Sequence, residues 1–357
     1  NTSGYAAETG RGGGGVVNVV TKSGANDYHG NVYWFFRDKA MNANTFFNNS
    51  RGIAKQPYHF NQYGANLGGP VVMPGGFNGK NKLFFFYNYE AQRNTLPNPV
   101  FFPIAVPGDA VSQQVGAELR AFQTPYTTGF ENTIHTVRMD YNISPSQFFN
   151  VRYNNHRFDG KNFENAGPQS ASERTGNSSN YTDNLAAQYT KVLGTSMVYD
   201  ARFIYLRDDA PGAANSDKPE AQIRQSGNLM IGIGRNSFSP RFTNIDKVNT
   251  IHALTYNRGK HSYKMGVDLN FERIANFFPG NFSGSYVFDS FADWAAKRAS
   301  SYTQGFAGTG TNGPTTYPNA NEIAFFAQDS WRVSDRLTIN YGGRYDLFSY
   351  AQPESSQ

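Results

Sequence analysis

The sequence contains no cysteine among its 357 residues. Disulfide frameworks, thiolate metal sites and cysteine nucleophiles are therefore excluded for this chain. No run of residues approaches the roughly 18 consecutive apolar positions that a membrane-spanning helix requires. This absence excludes a helical membrane protein, but it leaves a transmembrane β-barrel open, because the strands of a barrel alternate apolar and polar residues.

Clustered charge and catalytic signatures are also absent. The net charge is +5, but Lys and Arg are interspersed with Asp and Glu, which argues against a nucleic-acid partner. The six histidines show no metal-ligand spacing, and no nucleophile–base motif occurs, so we predict no metal, no cofactor and no enzymatic activity. A formal GxGxxG over residues 10–15 precedes a β-branched run and not a helix, which disfavours dinucleotide binding. The first ten residues lack the regions of a signal peptide, so we interpret the chain as processed or internal.

Aromatic residues are abundant, with 30 Phe and 22 Tyr, although the mean hydropathy is only -0.59. Disordered chains are poor in aromatics, so the composition favours a folded protein. Residues 337–347 alternate almost without error, with apolar side chains at odd positions and polar or charged ones at even positions. The same alternation occurs over 263–272 and 149–154, and it predicts strands with one apolar face.

This pattern predicts eleven strands. They lie near 28–38, 60–72, 81–92, 131–142, 147–158, 181–193, 196–207, 244–257, 260–273, 321–334 and 336–349. Tight turns alternate with long connections, which is the layout of an outer-membrane barrel. The predicted strands are about 11 residues long, as a tilted transmembrane strand requires, whereas the strands of a soluble propeller or sandwich average about 5 to 6.

The five long connections are predicted to be extracellular loops. They cover 39–59, 93–130, 159–180, 208–243 and 274–320. Short amphipathic helices are possible at 110–122 and 288–299, where they would pack within the loops. Aromatic side chains in these loops are candidate ligand contacts, although packing of the loops on themselves explains them equally well. They are Phe46, Phe47, Phe101, Phe102, Phe277 and Phe278.

Charged residues recur at i, i+2 spacing within the predicted strands, as in Arg138 with Asp140, Asp200 with Arg202, and Arg344 with Asp346. An Arg that faces lipid near the bilayer centre costs about 2 to 4 kcal/mol, so these side chains are predicted to face the lumen. Two roles remain open: an ion-pair network that holds a plug, or direct contact with substrate. The lumen-facing set comprises Arg138, Asp140, Asp200, Arg202, Lys264, Asp268, Glu272, Arg344 and Asp346.

Several segments resemble TonB-dependent outer-membrane receptors, above all the Oar-like group. Residues 8–24 (ETGRGGGGVVNVVTKSG) resemble the end of the plug domain, and 61–70 (NQYGANLGGP) and 82–90 (KLFFFYNYE) resemble early barrel strands. Residues 325–333 (FFAQDSWRV) and 337–345 (LTINYGGRY) are similar to a hairpin common in these receptors. The resemblance assigns packing of the plug against the barrel to Arg11, Gly12, Gly13, Gly14, Gly15, Asn18 and Lys22.

The resemblance implies an all-β, antiparallel transmembrane barrel, with residues 1–25 as the end of a plug and 26–357 as the first half of the barrel. Such transporters close with about 22 strands, so the remaining strands are expected from the rest of the protein or from a second chain. The implied function is energised transport across the bacterial outer membrane. The expected partners are membrane lipid, a TonB-type complex that acts through a segment missing here, and a small-molecule, glycan or peptide ligand. The alternative is an adhesive surface protein anchored by its barrel.

Overall fold

The computed structural model describes residues 6–10, 20–50, 52, 54–278, 280–281, 283–306 and 315–352. Its main feature is one antiparallel sheet, here called the wall, in which each long strand pairs with the next along the chain. The wall strands are β1 His29–Asp38, β2 His59–Pro70, β3 Leu83–Asn98, β4 Tyr126–Ser144, β5 Gln147–Glu164, β6 Gly176–Leu193, β7 Met197–Gly212, β8 Arg241–Arg258, β9 His261–Phe277, β10 Ala320–Ser334 and β11 Leu337–Tyr350. The predicted all-β barrel sheet of eleven long strands is thereby confirmed.

Alternation gives the wall two different faces. Large apolar side chains cover one face and are exposed, as at Val137 on β4, Phe203 on β7, Met265 on β9 and Phe325 on β10. The opposite face carries most of the buried charge, including Asp268 and Glu322. Successive side chains of a strand point to opposite faces, so the alternation read from the sequence is what separates the two surfaces. We call them the apolar face and the charged face.

The strands are longer than predicted at one end. β4 has 19 residues, and β5, β6 and β8 have 18 each, against the roughly 11 expected for crossing a bilayer. The extensions lie next to the long connections, and there the apolar face becomes polar, with Arg157 paired to Asp183. Backbone hydrogen bonds between neighbouring strands do not require lipid, so strand pairing continues beyond the apolar band. The alternation of apolar residues stops earlier, so sequence reasoning ended these strands too soon.

The wall is an open sheet. β1 pairs only with β2, and β11 pairs only with β10, within the part of the chain that the structure describes. All five short links connect consecutive wall strands at one end of the sheet. The longest of them, between β2 and β3, carries a small ladder of Val72–Met73 with Phe77–Asn78. The long connections all emerge at the other end.

The long connections after β3, β5, β7 and β9 fold together into one unit, here called the loop assembly. It contains a four-stranded sheet in the order Asn228–Ile233, Glu220–Gln225, Ser285–Phe288 and Ser301–Thr303, whose central pair is parallel. The helices of the connections are α1 Phe46–Ser50 after β1, α2 Ala110–Leu119 and α3 Phe291–Ala295, with 3-10 turns at Lys39–Met41, Arg120–Phe122 and Ser172–Arg174. A two-residue strand, Thr315–Thr316, extends the wall beside β9.

The loop assembly has its own hydrophobic core. Leu119 of α2, Phe291 of α3 and Ile223 of the small sheet are fully buried. Val100 adds a second residue from the connection that holds α2, and Ala171 adds the connection after β5. Both helical stretches expected in the loops are present, although α3 is shorter than the predicted segment. The observed connections run over 99–125, 165–175, 213–240 and 278–319, which is shorter than predicted because the strands extend into them.

Candidate functional site

The register of the wall brings the predicted lumen-facing charges onto one face. A single row across the sheet links Asp140 of β4 through Asn150 and Gln188 to Arg202 of β7, and continues through Ile251. The same row reaches Asp268 of β9 and Asp346 of β11. The neighbouring row holds Asp200 and Arg344. Arg138, Lys264 and Glu272 lie two or four residues from these positions on the same strands, so all nine predicted residues lie on the charged face.

The three i, i+2 pairs form ion pairs. Arg138 Nη2 lies 2.6 Å from Asp140 Oδ1, and Arg344 Nε lies 2.6 Å from Asp346 Oδ1. Arg202 Nε lies 2.7 Å from Asp200 Oδ1. Residues two apart on a strand share a face, so each of these pairs forms within a single strand. The remaining predicted charges find partners elsewhere, and Glu272 pairs with Lys247 on β8 at 2.7 Å.

Arg344 is the centre of a buried cluster. Its Nη2 lies 3.0 Å from Asp268 Oδ2 and 3.0 Å from Glu322 Oε1, in addition to its bond to Asp346. Only 9% of the Arg344 side chain is exposed, so the guanidinium relies on these carboxylates to replace water. Sequence reasoning missed Glu322 and Lys247, because their signal lies in the pairing register and not in the spacing along one strand.

The N-terminal segment lies against the charged face. Glu8 forms an ion pair with Lys264, and its backbone N–H donates to Gln328 Oε1 at 3.4 Å. Arg138 Nη1 donates to the backbone oxygen of Thr21 at 2.9 Å. These contacts join residues 6–10 and 20–24 to strands far away in the sequence, so the segment is held by side chains of the wall.

Glycines allow part of this approach. A Cβ on Gly10 would lie 2.5 Å from Cζ of Arg344, and one on Gly24 would lie 2.4 Å from the backbone oxygen of Phe85. Lys22, which the resemblance assigned to plug packing, lines a small cavity with His29 of β1. The other plug-packing predictions fall outside the described residues; they are Arg11, Gly12, Gly13, Gly14, Gly15 and Asn18.

The predicted loop aromatics divide into half-buried and exposed groups. Phe102 packs on the core of the loop assembly, with its ring centroid 6.1 Å from that of Phe291. Phe277 is the last residue of β9 and stacks on Phe242, so its placement in a loop was wrong; the strand continues because that ring has a cross-strand partner. The rest of the set is exposed or undescribed: Phe46, Phe101 and Phe278 are exposed, and the side chain of Phe47 lies outside the described residues.

A cavity of about 410 Å³ opens within the loop assembly. Four aromatic side chains line it, together with Lys218 and Lys297. The Nζ of Lys297 lies 3.9 Å from the centre of the Trp294 ring, a cation–π contact. The aromatic residues are Phe122, Tyr286, Phe288 and Trp294. A pocket of this size and apolar lining suits a small organic ligand. No local sequence pattern predicts it, because its lining residues come from several connections.

A buried ion pair ties three connections of the loop assembly together. Arg174 lies 2.8 Å from Glu220 Oε1, and Glu220 is only 1% exposed. Arg174 Nη1 also donates to Ser170 Oγ at 2.7 Å, and Ser285 Oγ donates to Glu220 Oε2 at 2.8 Å. Each polar atom of the pair gains hydrogen bonds that offset its loss of water. The pair therefore fixes how the connections after β5, β7 and β9 meet.

No group of three or more His, Asp or Glu side chains within the described ranges is arranged to hold a metal ion. Asp208 and Asp209, expected in a loop, lie in β7, where Asp208 accepts from Thr182 and Asp209 pairs with Arg207. None of the helices in the described part of the chain is long and apolar enough to span a membrane.

Comparison with known proteins gives several relatives. The chain is 25% identical over 425 residues to the TonB-dependent transporter Oar from Myxococcus xanthus, across 97% of this chain and 39% of that protein. The transporter YddB from Escherichia coli has a similar fold, with a TM-score of 0.58 and 12% identity over 97% of this chain and 43% of that one. The siderophore receptor PirA from Acinetobacter baumannii gives a TM-score of 0.55 at 14% identity, over 96% of this chain and 42% of that one. The chain thus spans about two fifths of the length of these relatives.

The family assignment covers nearly the whole chain. The family model described as outer membrane beta barrel domain matches residues 20–114 and 104–357. The relatives are named as transporters and receptors and not as enzymes. With the open wall, its apolar face and these matches taken together, the chain belongs to the outer membrane beta barrel domain family, resembles TonB-dependent transporters and is located in the bacterial outer membrane.

Proposed function

We propose that this chain is part of a TonB-dependent transporter that carries a ligand through a plugged barrel. The observation that supports the proposal is the contact of the N-terminal segment with the charged face, through Glu8 with Lys264 and Thr21 with Arg138. We assign residues 1–25 to the end of the plug and 26–357 to the first part of the barrel. In this assignment the charged face lines the lumen and the apolar face contacts lipid.

The remaining barrel strands are proposed to come from sequence beyond this chain or from a second chain. Among the described residues, no strand pairs with the outer edges of β1 and β11, and unpaired backbone groups cost several kcal/mol each in hydrocarbon. The long connections are assigned to the extracellular side and the tight turns to the periplasmic side. The loop assembly is then the first part of this chain that an incoming ligand meets.

In the proposed mechanism, a ligand binds at the loop assembly and an energising complex of the inner membrane pulls on the plug. We assign the contact with that complex to a segment outside this sequence, as the family resemblance implies. The pull must break the ion pair of Glu8 with Lys264 and the hydrogen bonds of Arg138 to Thr21. Both contacts are made by side chains at the plug boundary, so they can open while the ladders of the wall stay intact.

A cross-link between plug and wall tests this mechanism. Cysteines replace Glu8 and Lys264 in the full-length protein, and a short bismaleimide joins them in cells of a deletion strain. The absence of native cysteine from this chain keeps its background reaction low. Uptake is measured with a ferric siderophore, a cobalamin-type chelate, an oligosaccharide and a peptide. We expect the joined protein to lose the uptake that the unreacted double variant supports.

The matched control carries Lys260→Cys in place of Lys264→Cys and receives the same reagent. Lys260 lies in the turn between β8 and β9, so modification there leaves the plug free. Full uptake by the joined protein would contradict the mechanism. A wild-type strain that takes up none of the four probes would favour the alternative, an adhesive surface protein that uses the barrel as an anchor.

A further inference from the structure

Three arginines line a second cavity, of about 320 Å³, on the charged face. Arg138, Arg152 and Arg202 approach it from β4, β5 and β7, and Val20 and Thr21 of the N-terminal segment close one side. Asn150 and Gln188 are the neutral polar residues of the lining, and Gln188 Nε2 donates to Asp200 Oδ2 at 2.6 Å. None of the lining residues is a carboxylate. The cavity is therefore a concentration of positive charge at the boundary between segment and wall.

Two of the arginines are held by aspartates that do not line the cavity. Arg138 donates to both carboxylate oxygens of Asp140 at 2.6 to 3.1 Å, and Arg202 Nε lies 2.7 Å from Asp200. Neither aspartate lines the cavity. The carboxylates therefore hold the guanidinium groups in place without filling the cavity.

Arg152 has no such support. It pairs directly opposite Arg138 across β4 and β5, where like charges destabilise a sheet. Its Nε is buried and has no hydrogen-bond partner among the residues that the structure describes. A buried donor left unsatisfied costs about 1 to 3 kcal/mol. An anion between Arg138 and Arg152 would remove both penalties.

The adjacent chain segment offers no such anion. Residues 9–26, which include the part of the N-terminal segment next to the cavity, contain no Asp or Glu. They contribute two further cations, Arg11 and Lys22. The nearest carboxylate along the sequence on the N-terminal side is Glu8, which is paired with Lys264.

We propose that this cavity binds an oxyanion, the carboxylate or phosphate group of a solute in the lumen. A guanidinium binds such an oxyanion through two parallel hydrogen bonds, and Arg152, whose Nε has no partner among the described residues, is the group that can do so. Arg138 already donates to Asp140 and Thr21, so it adds mainly positive charge. The inference deepens the proposed function, because it assigns an anionic group to the transported ligand. That assignment rests on the proposed transport. Binding itself requires only the folded wall and the N-terminal segment.

The test measures thermal unfolding of the purified full-length protein in a zwitterionic detergent. Inorganic phosphate is the probe, titrated against chloride at constant ionic strength, and no energising complex is present. A ligand that binds only the folded state raises the Tm with its concentration. We expect phosphate to raise the Tm of the wild type and to have no such effect on Arg152→Gln. In phosphate-free buffer, Arg152→Gln should unfold at a higher temperature than the wild type, since the repulsion with Arg138 is gone.

Arg332→Gln is the matched control, because it removes one exposed cation from the charged face at a distance from the cavity. It should retain the phosphate response. Arg152→Lys keeps the charge but loses the planar fork, so a reduced response is expected. The proposal fails if phosphate raises the Tm of Arg152→Gln as much as that of Arg332→Gln, or has no effect on the wild type. It also fails if Arg152→Gln lowers the Tm while phosphate has no effect, because a carboxylate of the protein then fills the site. The Tm measurement involves no transport. A negative result in the uptake assay would therefore count against the proposed function and not against anion binding.

Discussion

The wall and the loop assembly stabilise themselves in different surroundings. The wall leaves its large apolar side chains exposed on one face, as at Phe203 and Met265, and places most of its buried charge on the other. The loop assembly buries its apolar residues within itself, with Leu119, Ile223 and Phe291 fully enclosed. A membrane-spanning sheet uses lipid as the partner of its apolar face, whereas a unit in water must supply its own core. The two regions should therefore respond to different perturbations.

The largest effect is expected from breaking the buried ion pair of the loop assembly. Arg174→Leu leaves Glu220 buried without its charge partner, which should cost the loop assembly about 3 to 5 kcal/mol. Hydrogen exchange should show loss of protection in Glu220–Gln225 and Ser285–Phe288, with protection of the wall strands unchanged. The double variant Arg174→Met with Glu220→Met removes both charges and should recover much of the stability. Equal loss of protection in β6 and β7 would contradict independent stability of the two regions.

A charge on the apolar face should destabilise the wall by a similar or smaller amount. Phe203→Arg places a cation toward lipid and should cost about 2 to 4 kcal/mol if it lies near the bilayer centre. Urea unfolding of the full-length protein in lipid vesicles measures the loss. Leu206→Arg is the control, since it lies on the charged face of the same strand, β7, and should cost less. Equal losses would mean that the apolar face does not contact lipid.

The smallest effect concerns pH and is confined to the loop helices. Asp109 caps α2 by accepting from the Ser112 N–H at 2.8 Å. Hydrogen bonds from the Ser112 side chain and then from its backbone N–H lower the pKa of Asp109 below its usual 3.8. Hydrogen bonds from Ser290 and Arg298 lower the pKa of Asp293, near the start of α3, in the same way. Depressed carboxylate pKa values stabilise the folded state above about pH 4, and this contribution is lost as the pH falls through the folded-state pKa.

Hydrogen exchange of α2 and α3 should therefore quicken on acidification below about pH 4, after correction for the intrinsic pH dependence of exchange. Asp109→Asn keeps a capping oxygen but has no titration, so α2 in that variant should lose the pH dependence and keep most of its protection. A response of α2 that is identical in the wild type and in Asp109→Asn would show that another group titrates.

Much of the wall could be predicted from the sequence, and little of the loop assembly could. Strand β11 was visible in the alternation of 337–347, because a sheet with one lipid face and one polar face repeats every two residues. The parallel pairing of Glu220–Gln225 with Ser285–Phe288 joins segments about 65 residues apart and leaves no local periodicity. The ion pair of Arg174 with Glu220 could not be predicted for the same reason, because the two residues lie on different connections.

The candidate sites show the same division. The i, i+2 spacing predicted the pair of Arg138 with Asp140, because both residues lie on one strand. The opposition of Arg138 and Arg152 depends on the register between β4 and β5, which the sequence alone leaves open. The exposed loop phenylalanines and the proposed plug residues remain predictions.

By itself, the sequence determined the eleven wall strands, their two faces and the location of charge on one of them, because these follow from local alternation. The tertiary structure alone decided which strand ends extend beyond the apolar band, how four connections form one core, and where three guanidinium groups converge. Those features depend on register and on long-range contacts, whose free energy is realised only when distant segments meet.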